Sequence, residues 1–347
     1  MNFCSDNVAG VAPEIMAAIQ QANQGGMPSY GADAITARVE QRFADLFECK
    51  VWAFPVTTGT SANALALSTL TPPYGAIYCH PEAHVMVDEC GAPELYTGGA
   101  KLVPIAGEGG KMAARDVAEA LDNARAGDVH HVQPAAISLT QATECGTVYT
   151  PVEIGAIGEI ARKHKVKLHM DGARFANAVA QLKVRPAEIT WRAGIEVLSF
   201  GATKNGALAA EAVVFFDEAL ATSFGFRRKR AGHLISKMRF VSAQLDAYLD
   251  NDLWLKLATH ANAMAQGLVG GLKAIPGVHL LHPVEANEIF IRLPLEIVGG
   301  LRRAGFDFYD WPGAAPGTIR LVTSFATRAE DVAAFIRTAN SLAKAAS

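Results

Sequence analysis

Short, apolar, β-rich runs alternate with longer helical patterns over the first two thirds of the chain, and this order restricts the possible folds most strongly. It is typical of a mostly parallel sheet covered by helices. Helical spacing is clearest in 33–47, behind the acidic residue Asp33, and in 151–164. Seven strands are predicted, at 51–55, 76–79, 101–105, 135–139, 167–170, 197–200 and 212–216.

After Asp217 the pattern changes to long helices, one of them predicted over 238–257. A second α/β pattern follows, with strands predicted at 289–293 and 319–323 and a final helix over 328–345. We therefore expect a large domain and a smaller C-terminal one. The predicted division is an N-terminal segment (1–20), a large domain (21–250) and a small α/β domain (251–347).

Composition and charge exclude several classes of protein. The chain has 31 Lys plus Arg against 34 Asp plus Glu, a net charge of −3, which argues against a nucleic-acid or membrane-surface role. Half of the residues are hydrophobic and 19% are charged, so disorder is excluded as well. Without a long apolar run or a signal-peptide pattern, we expect a cytoplasmic protein. The five cysteines include no C-x-x-C pair, and we expect them to be reduced.

Ligands of parallel sheets bind at the carboxyl ends of the strands, so polar residues that follow strands are the candidate site residues. Asp171 ends the fifth predicted strand. It could bind a metal, cap the next helix or pair with a cationic ring nitrogen. Lys204 follows the sixth strand between Gly201 and Gly206, which would leave room for a planar group. A partly buried lysine of this kind favours the nucleophilic amine that forms imines, whereas a surface lysine is only solvated.

Two further segments follow predicted strands. The segment 57–63 opens a helix with hydroxyl groups and Gly59, which makes it either an anion site or an ordinary helix cap. The segment 80–84 contains two histidines, but it lacks the H-E-x-x-H order of zinc enzymes. We therefore interpret His84 as an aromatic or acid/base residue, and no metal site is predicted.

Taken in order, a phosphate cradle, a histidine, an aspartate and a lysine resemble the fold type I enzymes that use pyridoxal 5′-phosphate. The chain looks like a threonine aldolase of the low-specificity or phenylserine type, from Ser5 to Arg320. The matching segments are 5–7, 30–31, 58–63, His84 with Glu89 and Gly91, 169–174, 203–204 and 319–323. His-x-Asp-Gly-Ala-Arg at 169–174 is the most specific of them. The resemblance implies an aspartate aminotransferase-like large domain with a mostly parallel seven-stranded sheet, and a small C-terminal α/β domain.

The resemblance also implies residue roles. Lys204 would hold the cofactor through an imine, Asp171 would keep its ring nitrogen protonated, and His84 would stack on its ring. The other implied cofactor-binding residues are Gly59 and Thr60 at the phosphate, Thr203 and Arg174. The implied substrate-binding residues are Ser5, Arg174 and Arg320 at the carboxylate, with Tyr30 at the rim and segment 1–20 contributing to the site.

One segment departs from the family pattern. The family often has Asn-Thr-His-Asn after the fourth strand, where this chain has Gln141-Ala142-Thr143-Glu144. Thr143 replaces the second histidine, so His84, or water near it, is our candidate base. The family's basic phosphate contact could correspond to one of three residues of the 227–239 region, in this chain or a neighbouring subunit. They are Arg228, Lys229 and Lys237.

The implied activity is retro-aldol cleavage of β-hydroxy-α-amino acids such as L-threonine, L-allo-threonine or L-phenylserine, which gives glycine and an aldehyde. A related β-eliminating lyase or an aminotransferase is one alternative, because it would share Lys204 and Asp171. A non-catalytic ligand-binding protein of the same fold is another. The resemblance further implies an enzyme of amino-acid metabolism that forms a homodimer or homotetramer with active sites at subunit interfaces.

Overall fold

The computed structural model describes residues 1–346 and confirms the α/β prediction. A seven-stranded sheet has the order β1-β7-β6-β5-β4-β2-β3, in which only β7 runs antiparallel to its neighbours. Its strands are β1 (Trp52–Val56), β2 (Gly75–Cys79), β3 (Lys101–Pro104), β4 (Gln133–Thr140), β5 (Lys167–Gly172), β6 (Val197–Gly201) and β7 (Glu211–Phe215). All seven predicted strands are present, with ends shifted by one or two residues.

Helices cover both faces of this sheet, and their ends follow capping chemistry. The Asp33 carboxylate accepts the Thr36 N–H at 2.9 Å, and Thr150 and Glu153 form a capping box before a first-turn proline. The helices up to this sheet's last strand are α1 (Pro13–Ala22), α2 (Ala34–Phe47), α3 (Gly59–Leu70), α4 (His84–Val87), α5 (Ala92–Thr97), α6 (Ala114–Asp122), α7 (Pro151–His164) and α8 (Phe175–Leu182).

The chain after β7 first adds helices to the large part and then builds a smaller C-terminal part. Its four-stranded sheet is antiparallel throughout, in the order β10-β11-β9-β8. The strands are β8 (His279–Leu280), β9 (Glu288–Arg292), β10 (Tyr309–Asp310) and β11 (Thr318–Val322). The helices after β7 are α9 (Glu218–Ala221), α10 (Phe224–Arg230), α11 (Arg239–Leu249), α12 (Leu253–Leu272), α13 (Leu295–Arg303) and α14 (Ala329–Ala346). The first three of them pack on the large part. The two-residue strands β8 and β10 are too short to show a sequence pattern, and we did not predict them.

The single helix predicted over 238–257 is wrong. The structure has α11 and α12 there, separated by a turn in which Asn251 and Asp252 adopt left-handed backbone angles, with φ of 49° and 55°. Asn and Asp tolerate this conformation better than most residues, because their short polar side chains bond locally. The apolar periodicity continues across the turn, which is why the sequence suggested one helix.

Separate hydrophobic clusters support the two sheets. Phe43, Phe175 and Phe200 belong to a cluster on one face of the large sheet, and they are completely buried. The small sheet has its own cluster, which includes Phe335 and also Phe3 from the N-terminal segment. The division at residues 20 and 250 stays a prediction. Within residues 1–346, no helix has the length and apolarity that crossing a membrane requires.

Candidate active site

The carboxyl edge of the large sheet borders a cavity of about 390 Å³. Parallel neighbours end at this edge, and the segments after β1, β2, β5 and β6 therefore meet there. Six of the predicted site residues line the cavity: Gly59, Thr60, His84, Asp171, Thr203 and Lys204. The other four, Ser5, Tyr30, Arg174 and Arg320, lie outside this lining.

Asp171 is held at the end of β5 by two hydrogen bonds. Its Oδ1 accepts the Ala173 N–H at 3.0 Å, and its Oδ2 accepts from Asn63 Nδ2 at 2.8 Å. The same Asn63 nitrogen donates to Glu89 Oε1 at 2.9 Å, and that oxygen lies 3.0 Å from His84 Nδ1. The Glu89 carboxylate raises the pKa of His84. A chain of polar contacts thus joins Asp171 to His84, and both side chains are fixed relative to the cavity.

His169, two residues before Asp171, has no contact with the cavity. Its ring is completely buried in the sheet, with Nδ1 2.9 Å from Ser138 Oγ on β4 and Nε2 2.9 Å from Ser199 Oγ on β6. Burial lowers the pKa of His169 to about 4, against an opposing effect of Asp171. The histidine of the His-x-Asp-Gly-Ala-Arg segment therefore links three strands as a neutral ring.

Lys204 lies half-buried in a short 3₁₀ turn after β6, and the glycines beside it have packing roles. A Cβ on Gly201 would lie 2.5 Å from the Ala173 carbonyl oxygen, and Gly206 has φ +111°. These glycines permit close backbone contact and a left-handed turn. We predicted that they make room for a planar ligand, but their contacts indicate close backbone packing instead. Burial raises the pKa of the neighbouring Glu211 to about 7, although Thr203 and the Ala202 N–H donate to its carboxylate.

The N-terminus of α3 faces the cavity. Thr58 caps the helix by accepting the Ser61 N–H at 3.2 Å. Apart from its chain neighbours and its own helix backbone, nothing in residues 1–346 lies within 4 Å of the position a Gly59 Cβ would take. The first N–H groups of a helix have no intrahelical partners and attract anions. Thr57 at this end also contacts His233, with 3.1 Å between Oγ1 and Nδ1.

None of the three basic candidates for a phosphate contact lines the cavity in the described chain. Arg228 is buried and donates to the Pro55 carbonyl oxygen at 3.1 Å, and burial lowers its pKa to about 10. The Lys229 ammonium lies 4.6 Å from the ring centre of Tyr30, which is itself about half exposed. Lys237 is exposed. The phosphate contact from this region stays a prediction.

Arg174 is buried between two carboxylates that the sequence did not identify as its partners. Asp6 accepts from its Nε at 2.8 Å and its Nη2 at 3.1 Å, and Glu288 lies 3.0 Å from its Nη1. Burial alone would raise the pKa of Asp6, but Arg174 and Lys204 more than offset this and lower it. Glu288 also accepts from Arg320 at 2.6 Å. This cluster joins the N-terminal segment, the large sheet and the small sheet.

Ser5 and Arg320 occupy the borders of this cluster. The Ser5 hydroxyl accepts the N–H of Asn7, a residue that lines the cavity, at 3.1 Å. The Arg320 side chain is 18% exposed, and its Nε and Nη2 both donate to Glu288. Its Nη1 has no partner within residues 1–346, so one edge of this guanidinium is available to a ligand.

The chain matches characterised families over most of its length. The model of the Beta-eliminating lyase family matches residues 2–295. A low-specificity L-threonine aldolase of a Pseudomonas species is 44% identical over 338 residues, which are 96% of this chain and 96% of that protein. The chain is a member of the threonine aldolase family. The enzyme of the same description from Pseudomonas aeruginosa is 44% identical over 333 residues, 95% of this chain and 94% of that protein.

Solved structures support this membership. The structure of Leishmania major threonine aldolase has a TM-score of 0.93 and 28% identity, with 99% of both chains covered. A Sphingomonas wittichii serine palmitoyltransferase structure, at 16% identity and a TM-score of 0.74, shares the fold. The threonine aldolase family predicted from the ordered motifs is thus confirmed, and so is the large fold type I sheet.

Proposed function

We propose that this member of the threonine aldolase family is a pyridoxal 5′-phosphate-dependent carbon–carbon lyase. Its substrates would be L-threonine, L-allo-threonine and related β-hydroxy-α-amino acids, which it cleaves to glycine and an aldehyde. The observation that carries the proposal is the single cavity lined by Lys204, Asp171, His84 and the N-terminus of α3. The 44% identity to low-specificity L-threonine aldolases over nearly the whole chain favours this substrate class.

The residues around the cavity suit this cofactor. The free N–H groups at the start of α3, with Gly59 and Thr60, would hold the phosphate, and in the described part of the chain the space beside Gly59 is open. Asp171 would pair with the ring nitrogen and Lys204 with the aldehyde carbon. The Asn63 Oδ1 atom is buried without a hydrogen-bond partner, which a polar ligand in the cavity would relieve. Thr203 and Arg174 would support the cofactor site, and His84 would face the ring.

When bound, pyridoxal phosphate supplies an electron-withdrawing ring that stabilises negative charge on the substrate Cα. Asn63 and the Ala173 N–H fix the orientation of the Asp171 carboxyl group, which would hold its charge in place for the ring nitrogen of the cofactor. The substrate amine would take the place of Lys204 at the aldehyde carbon of the cofactor. A proton must also leave the β-hydroxyl group, and His84 is the base that the sequence suggests.

The substrate carboxylate would bind at the border between the two sheets. Arg320 Nη1 has no partner among residues 1–346, and a planar guanidinium suits a carboxylate. Arg174 already faces Asp6 and Glu288, so we propose that Arg320, with Ser5, makes the more direct contact. Fixing the carboxylate orients the Cα–Cβ bond for cleavage. Tyr30 would lie at the rim.

The description of the matching family also names β-elimination, which gives this rival activity a specific basis. Elimination would release ammonia and a keto acid, whereas aldol cleavage releases glycine and an aldehyde. An aminotransferase would instead need a keto-acid partner. A ligand-binding protein without turnover would bind the cofactor and release no product. Product analysis therefore separates all four.

We further propose a homodimer or homotetramer with active sites at a subunit interface. Leu208, which lines the cavity, is 56% exposed, and Phe226 and Leu95 expose 80% and 74% of their surface. Large apolar groups of this kind are common where subunits meet. Light scattering on the purified protein tests the assembly.

A cytoplasmic location is also proposed, because five free cysteines suit a reducing compartment.

Reduction with borohydride tests the cofactor assignment. Protein mixed with pyridoxal phosphate should show a visible imine band that borohydride abolishes, and mass spectrometry should find the pyridoxyl group on Lys204. Lys204→Ala should lose the band and aldehyde release, whereas the exposed control Lys163→Ala should keep both. Full aldehyde release by Lys204→Ala would refute the proposed function.

A further inference from the structure

Glu144 is the ionisable residue of the segment that departs from the family pattern. It is outside the lining of the cavity, but its loop leaves the large sheet at the edge that borders the cavity. The segment 141–144 directly follows β4, the neighbour of the strand that carries Asp171. The Gln141 N–H donates to the Asp171 carbonyl oxygen at 2.8 Å. Glu144 therefore leaves the sheet at the same edge as Asp171.

The loop that holds Glu144 is fixed on both sides. The Gln141 side chain donates to the Tyr149 carbonyl oxygen at 2.8 Å and accepts the Tyr149 N–H at 2.9 Å. On the other side, a Cβ on Gly146 would lie 2.8 Å from the Glu288 carbonyl oxygen, so the loop packs directly on β9. These contacts leave Glu144 little freedom to move away from the site, which is the preorganisation that a catalytic group needs.

Charged groups from several elements lie near enough to act electrostatically on the Glu144 carboxyl group. They are Lys204 after β6, Asp171 on β5, Arg174 before α8, Glu288 on β9 and His84 on α4. Glu144 itself is half-buried, and its carboxyl group makes no hydrogen bond or ion pair within residues 1–346. A half-buried carboxyl group surrounded by site residues and without a partner is free to bind a ligand hydroxyl.

Burial raises the pKa of Glu144, and Lys204 opposes this effect only in part. A carboxylate with a raised pKa is a stronger base than an ordinary one. The other candidate base is His84, whose Nδ1 is engaged by Glu89. Glu89 raises the pKa of His84, so the imidazole stays protonated to higher pH. A protonated imidazole cannot accept the hydroxyl proton, whereas it can still stack on the cofactor ring.

We propose that Glu144 is the catalytic base that takes the proton from the substrate's β-hydroxyl group. The inference rests on the proposed function and assigns this step to the residue next to Thr143. The carboxylate accepts the hydroxyl proton, and the O–H electron pair becomes the second bond of the aldehyde carbonyl. The Cα–Cβ electron pair stays on Cα, which then takes up a proton, so glycine leaves. Glu144 returns its own proton to solvent.

The test uses Glu144→Gln in the holoenzyme, with the exposed Glu159→Gln as the matched control. Three measurements separate the steps: L-threonine cleavage, exchange of the glycine α-hydrogen in D2O followed by NMR, and the visible absorption change when glycine binds. Glycine has no β-hydroxyl group, so its exchange needs Lys204 but not the proposed base. Cleavage should fall by about 10² to 10⁴-fold in Glu144→Gln, with glycine binding and exchange retained.

The pH profile supplies a readout that a structural role would not change. Wild-type kcat should fall at low pH as Glu144 becomes protonated, and the residual kcat of Glu144→Gln should lack this acid limb. Near wild-type cleavage by Glu144→Gln overturns the proposal, and so does a loss of glycine exchange together with cleavage. A wild-type protein that releases no aldehyde refutes the proposed function itself, and the Glu144 assignment with it.

Discussion

His169 should make the stability of the fold depend on pH between about 4 and 6.5, by a mechanism separate from catalysis. The buried ring is hydrogen-bonded on both sides by serines of β4 and β6. In a neutral imidazole one nitrogen donates a hydrogen bond and the other accepts one, and a serine hydroxyl can be the partner of either nitrogen. Protonation would give the ring two donors and place an uncompensated charge inside the sheet, which is costly.

The size of the effect follows from the two pKa values. In the unfolded chain His169 has its ordinary pKa of 6.5, whereas burial lowers the pKa to about 4 in the fold. Below pH 6.5 His169 becomes protonated in the unfolded chain but stays neutral in the fold. Its contribution to the free energy of unfolding is therefore fully present above pH 6.5 and is lost as pH falls. The whole difference is worth about 3 kcal/mol, of which about 2 kcal/mol is lost between about pH 7.5 and 5.

Urea unfolding of wild type, His169→Gln and His130→Gln at several pH values measures this directly. The control His130 is exposed in a loop. His169→Gln should be less stable than wild type at pH about 7.5, and this deficit should shrink by about 2 kcal/mol at pH about 5, because only wild type loses the histidine contribution. His130→Gln should follow wild type. A deficit that stays constant with pH would refute the assignment of a neutral, buried ring.

Three further predictions concern carboxyl groups of the site. Asp171→Asn should lower aldehyde release by about 100-fold or more with Lys204 still able to hold the cofactor, and an unchanged rate would contradict its role. Asp6→Asn removes one of the two carboxylates that pair with the buried Arg174. The free energy of unfolding in urea should fall by about 3–5 kcal/mol, whereas an exposed ion pair would give little change. Glu211 has its pKa raised from 4.5 to about 7, so the fold without cofactor should lose stability as pH rises through that range. Unfolding of Glu211→Gln should lack this loss, and an identical pH profile would count against it.

The sequence predicted those site residues that directly follow strands. Asp171 and Lys204 were found because parallel strands end at one edge, which makes the residue after an apolar run informative on its own. Thr60 and Gly59 were found for the same reason, since they open the helix after β1. All four lie in the cavity that the structure forms, and the periodicity that predicts the sheet also locates them.

Residues that pair across long distances in the chain were not predicted. Asp6 and Glu288 meet at Arg174 only because the N-terminal segment packs on the small sheet, and nothing local in either segment indicates this. The role of Asn63 as a bridge between Asp171 and Glu89 is of the same kind. The sequence shows that Arg174 is charged but not that it has two protein partners, so Arg174 appeared free to bind a substrate.

Glu144 illustrates a different limit. Its segment attracted attention through the histidine it lacks, whereas the carboxylate it contains became relevant only when the loop was seen to pack between β5 and β9. A signal was present in the sequence, since a glutamate followed the strand beside Asp171. The charged groups near it, however, come from four separate parts of the chain.

The products formed from L-threonine distinguish an aldolase from a β-eliminating lyase. L-threonine would be incubated with wild-type protein and pyridoxal phosphate, and with Lys204→Ala as the control, and glycine, acetaldehyde, ammonia and keto acid would be measured together. We expect glycine and acetaldehyde in equal amounts from wild type only, without matching ammonia. Ammonia and a keto acid in place of glycine would contradict the aldolase assignment and favour β-elimination on the same site.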